Sequence, residues 1–128
     1  MAMISGSIDS KPFYDSLRKI TSISKVLQGS SLFQLSWNDV NNSSFSIFCN
    51  NDCAVILAIW EYAGRQDSLI DMLQVDGWVK KRQDIKWWNS GEFGKTRAVF
   101  FKTVLANHSL SFNKPEGSLP ISVFVVQG

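Results

Sequence analysis

The apolar residues of this chain fall into two periodicities and one unbroken run, and each predicts a different element. Between Ser10 and Gly29, residues Phe13, Leu17, Ile20, Ile23 and Leu27 recur at intervals of three and four, the spacing of one face of an amphipathic helix. Ser10 stands where an N-cap belongs, Pro12 in the first turn and Gly29 at the stop, so the spacing predicts an N-terminal helix. Its polar side carries Asp15, Arg18, Lys19 and Lys25, read as a solvated face.

Beyond Gly29 the period shortens to two. Phe33, Leu35 and Trp37 share one side of a strand with Gln34 and Ser36 opposite, and after a turn rich in Asn and Asp the alternation resumes at Phe45, Ile47 and Cys49. These runs predict two paired antiparallel strands. The run AVILAIWEY from Ala54 is too uniformly apolar for its period to decide. The short polar linker Asn50 to Asp52 and the β-branched Val55, Ile56 and Ile59 favour a third strand. The competitor is one helix from Cys53 to Asp76, in which Gly64 would cost about 1 kcal/mol.

A second helix is expected over Leu69, Ile70, Met72, Leu73 and Val75, capped by Asp67 or Ser68 and closed by Gly77. Ile85 to Trp88 reads as extended, Arg97 to Asn107 fits a helix and a strand equally, and His108 to Phe112 alternates again. After a turn at Pro115 to Gly117, Ile121 to Val126 forms a buried strand. The order predicts an α+β fold: an N-terminal helix packed on an antiparallel sheet of about five strands, with one or two further helices.

With 128 residues, 45% of them hydrophobic, the chain suits a single domain over residues 1–128, with 1–9 as a flexible tail. MAMISGSIDS has no basic segment followed by a long apolar core, and the run Cys53 to Trp60 is much shorter than the roughly 20 residues of a membrane span. A cytoplasmic protein without membrane contact is the expectation.

Charge changes the picture more than composition does. The stretch Trp78 to Thr103 holds seven basic residues (Lys80, Lys81, Arg82, Lys86, Lys95, Arg97 and Lys102) against Asp84 and Glu92, a local +5 within a chain of net +2. It also contains Trp78, Trp87 and Trp88, three of the five tryptophans. Lysine and arginine interleaved with tryptophan suit an acidic protein surface, where Arg and Trp are favoured anchors. They also suit single-stranded nucleic acid, where phosphates are neutralised and bases stack.

Signatures of catalysis are incomplete. Gly94, Lys95 and Thr96 match the end of a phosphate loop, but Asn89 stands where its first glycine belongs; a glycine-relieved loop between packed elements is the reading here. Cys49 and Cys53, with one histidine in the chain, are too few ligands for a zinc site. They read as two small half-buried thiols beside a turn, with a redox pair as the alternative. His108 has no assignable nucleophile or orienting acid, and Asp67 and Asp71 are explained by a helix cap and a solvated face.

The expectation is therefore a small non-enzymatic binding or accessory protein without cofactor or metal. It engages an acidic protein partner through Trp78, Lys80, Lys81, Arg82, Lys86, Trp88, Lys95 and Arg97; single-stranded nucleic acid is the alternative. An exposed sheet edge would also permit a homodimer.

Overall fold

A computed structural model describes residues 2–7, 10–11, 13–16, 19–23, 25, 27–35, 44–59, 67–89, 92–113 and 121–127; the side chains of 2, 21–22, 67, 81–89 and 92–98 are outside that description. The described residues form β1 (Ala2–Ser5), β2 (Lys19–Ile23), β3 (Ser31–Gln34), β4 (Phe45–Cys49), β5 (Cys53–Ile59), α1 (Asp67–Val75), β6 (Val79–Asn89), β7 (Glu92–Val104), β8 (His108–Phe112) and β9 (Ser122–Gln127). Seven strands make one sheet in the order β1-β3-β9-β5-β7-β6-β2, and β4 and β8 make a separate ribbon. All of these strand pairs are antiparallel. The fold is mostly β, which overturns the expected N-terminal helix packed on a sheet with further helices.

The unbroken apolar run forms the middle of this sheet. β5 lies between β7 and β9, and Val55 to Ile59 are all buried, as a strand covered on both faces requires. Residues opposite one another in register share a face. One face therefore carries Cys53, Val55 and Leu57 with Phe100 and Val104 of β7 and Val123 and Val125 of β9. The other carries Ile56 and Ala58 with Val99 of β7, Phe124 of β9 and Leu32 of β3.

The ribbon covers the first face. Phe45, Ile47 and Cys49 point inward while Ser46 and Phe48 are exposed, the alternation expected of a strand with one wet side. A disulfide joins Cys49 to Cys53 on the sheet, so the expectation of two reduced thiols is replaced by a covalent link between the layers.

The N-terminal half departs most from expectation. Ala2–Ser5, expected as part of a flexible tail, pairs with β3 as an edge strand. Where the helix was expected, Lys19–Ile23 pairs with β6 with a bulge between Ile20 and Ser22, and Phe13 makes an isolated parallel bridge to Leu35. Phe13, Ile20 and Leu27 are all fully buried, so the spacing identified core residues correctly but not their backbone. The reason lies in local preference. The stretch is rich in serine and places Ile20, Thr21 and Ile23 within four residues, residues whose weak helix propensity yields to an available partner strand. Pro12, Leu17 and Trp37 lie outside the described residues. The two strands expected to pair with each other instead join different layers, β3 beside β1 and β9 and β4 beside β8.

Helix α1 matches its sequence pattern. Leu69 and Leu73, one turn apart, are fully buried and Val75 is exposed. Gly77, at φ 84, ends the helix: its N–H donates to the Gln74 carbonyl at 3.2 Å and the Trp78 N–H donates to the Leu73 carbonyl at 2.9 Å. That pair of bonds is the Schellman arrangement, and it delivers Trp78 into the core beside Leu73. No atom lies within 4 Å of a Cβ built on Gly77, so a substitution there meets only backbone strain. Gly77→Ala should lower unfolding free energy by about 1–2 kcal/mol in urea titrations, and Gly77→Asn by less.

Candidate functional site

The basic segment folds into the longest hairpin among the described residues. β6 and β7 pair from Val79 opposite Phe101 to Asn89 opposite Glu92, which leaves residues 90 and 91 to connect them. Within it Lys81 lies opposite Val99, Ile85 opposite Arg97, Lys86 opposite Thr96 and Trp87 opposite Lys95. Gly94, Lys95 and Thr96 are thus strand residues in β7. The expected loop at this glycine is corrected, and no helix N-terminus follows to hold a phosphate.

Strand β2 adds a residue that sequence reasoning left aside. Lys19, placed on a helix face by its spacing, instead lies exposed on β2 opposite Trp88, while Ser22 lies opposite Lys86. Three adjacent strands now carry Lys19, Lys80, Lys81, Arg82, Lys86, Lys95, Arg97 and Lys102, eight of the 13 basic residues, against Asp84 and Glu92, two of the 11 acidic ones. These strands hold a net +6 and the other residues −4. Neighbouring strands are about 4.8 Å apart, inside the ~8 Å Debye length at physiological salt. Charges on the same face of these strands therefore act together on an approaching anion, and the register of Lys80 opposite Phe100 and Lys81 opposite Val99 divides them between the two faces of the sheet.

The structure separates the proposed site residues into distinct roles. Trp78 is 5% exposed and packs edge-on against Phe112 at 6.1 Å between ring centroids, and Phe112 stacks on Phe45 at 5.2 Å. Its expected place at a partner-binding surface is corrected: a ring sandwiched between ribbon and sheet has no face to offer a ligand. Lys102 is tied to the same feature, donating from Nζ to the Asp76 carbonyl at 2.6 Å and lying 5.9 Å from the centre of the Trp78 ring. A cation at that carbonyl complements the C-terminal end of α1. Lys80 is exposed on β6. The side chains of Lys81, Arg82, Lys86, Trp88, Lys95 and Arg97 lie outside the described residues, and their strand positions alone place them together.

His108 sits at a corner of the backbone. Its Nδ1 lies 3.0 Å from the Ala106 carbonyl, and Asp52 Oδ1 accepts the Ala106 N–H at 2.8 Å. This carboxylate and this ring thus bind the same turn. Among the described residues no helix is long and apolar enough to cross a membrane.

No family model and no curated protein matches the chain. Solved structures similar in fold include two enzymes. One is a β-glucuronidase from glycoside hydrolase family 2, at a TM-score of 0.73 and 12% identity, covering 98% of this chain and 13% of that one. The other is a glycoside hydrolase family 138 enzyme targeting pectin rhamnogalacturonan II, at 0.69 and 14%, covering 98% of this chain and 15% of that one. At such identity the likeness is one of fold, and this chain spans about a seventh of either enzyme.

A core role for Trp78 has a measurable consequence. Trp78→Ala should cost about 3–5 kcal/mol of stability in chemical denaturation, with Trp78→Phe milder, whereas ligand affinity of the remaining folded protein should stay unchanged.

Proposed function

We propose that this chain is a non-catalytic binding module that engages an acidic partner through β2, β6 and β7. The observation that carries the reading is the segregation of charge, with a net +6 on three adjacent strands against −4 elsewhere. Strands in a sheet hold their side chains at fixed spacing, so a charged array built on them needs little ordering when a partner arrives. An acidic protein surface suits this array because Arg and Trp lose comparatively little freedom as interface anchors.

A second reading is favoured by the structural neighbours. One is a β-glucuronidase and the other targets pectin rhamnogalacturonan II; the carboxylate of glucuronic acid is an anion of the sign this patch would attract. An acidic polysaccharide is the partner in that reading, and the module serves as an attachment surface rather than as the site of bond cleavage.

Fluorescence anisotropy with labelled polyglutamate, polygalacturonate and oligothymidylate separates these partners. Binding to polyglutamate that weakens as salt rises is expected for an acidic protein partner, and a preference for polygalacturonate for the polysaccharide. A preference for oligothymidylate would identify single-stranded nucleic acid instead. Joint Lys81→Glu, Arg82→Glu and Lys86→Glu should weaken binding at least ~10-fold, since each reversal removes an attraction and adds a repulsion. Lys11→Glu with Lys25→Glu, outside the patch, should change it less than ~2-fold. Equal losses from the two sets would show that net charge, not this surface, drives association.

A further inference from the structure

We infer that the Cys49–Cys53 disulfide is a shielded structural clasp between the two β layers, and that the chain works in its oxidised form in an oxidising compartment. Two of the connections between ribbon and sheet are three residues long and meet at this corner: residues 50–52 lead from β4 to β5, and residues 105–107 from β7 to β8. One backbone bond and one bond to a side chain brace them against each other, and a third closes the second turn. The Asn107 N–H donates to the Cys49 carbonyl at 2.7 Å, the His108 N–H to the Leu105 carbonyl at 3.1 Å, and the Ala106 N–H to Asp52 Oδ1 at 2.8 Å. Asn107 takes the left-handed φ of 64 that this turn demands, a conformation asparagine tolerates better than most residues.

This bracing sets the cysteines 6.4 Å apart at Cα, within the span that a disulfide bridges without backbone movement. Both residues are 2% exposed. Reduction requires a thiolate to attack one sulfur, forming a mixed disulfide and releasing the other cysteine as a thiolate; a second reductant thiol then frees the protein and leaves as the oxidised reductant. In the folded molecule the attacking thiolate cannot reach either sulfur until the corner opens, so folding shields the bond. A clasp of this kind forms and persists where the surroundings are oxidising. Its burial also argues against a reactive redox pair, which needs an accessible thiolate.

The test uses the full chain and iodoacetamide labelling read by mass spectrometry. Native protein should take up no label, with or without millimolar reduced glutathione; in concentrated urea it should take up none without a reductant and two after reduction. Labelling of both cysteines in urea without a reductant would overturn the disulfide, and rapid labelling of folded protein after glutathione would overturn the shielding. The joint Cys49→Ser and Cys53→Ser variant should melt about 5–10 °C lower than the oxidised chain; an unchanged midpoint would deny the clasp a structural role. Should that variant fail to fold, the labelling still decides the state of the bond. Protein made in an oxidising periplasm should melt higher than protein made in a reducing cytosol by that same interval, and equal midpoints would overturn the assignment of compartment.

Discussion

The pairing of β5 on both of its edges is the constraint on which the other elements depend. Val55 to Ile59 are buried, so the backbone groups of this strand have no water to bond and must find partners in β7 and β9. Each buried amide left unpaired would cost about 1–3 kcal/mol. A slip by one residue would exchange the faces of Val55 and Leu57 with those of Ile56 and Ala58. With that register set, β3 adds to β9, β1 to β3, β6 to β7 and β2 to β6.

The second layer arises from the same pair of strands. Cys53, the first residue of β5, is the register partner of Val104, the last of β7, and the chain on either side continues into β4 and β8. These pair again with Cys49 opposite His108, so the ribbon is the central pair folded back over itself. Trp78 fills the space that the fold-back creates, carried there by the Gly77 turn and closed over by Lys102. Disulfide, helix end and aromatic cluster thus secure one junction between the layers.

The electrostatic surface follows from strand order. The basic segment is concentrated in sequence, but pairing with β2 brings in Lys19 and leaves the three strands with only Asp84 and Glu92 as acidic residues. This raises the local excess from the +5 of Trp78 to Thr103 to +6. Trp78 and Lys102 belong to the same segment yet serve the core, so proximity in sequence overstated the number of residues free to meet a partner.

Much of the local structure was legible. The alternation at Phe45, Ile47 and Cys49, the strand at Val55, the helix ended by Gly77 and the strands at His108 and Ile121 all appear where their periods and turn residues put them. Phe13, Ile20 and Leu27 were identified as apolar positions of one element and are buried, but in a bridge, a strand and a turn. Arg97 to Asn107, which suited helix and strand alike, is strand as far as Val104 because β5 lies beside it. The sequence by itself determined which residues avoid water, where α1 stops and where positive charge collects, because side-chain polarity and the glycine backbone act locally. Only the tertiary structure decided that Lys19–Ile23 is a strand, that Cys49 meets Cys53 and that Trp78 is core, because each depends on contact with a distant element brought close by pairing around β5.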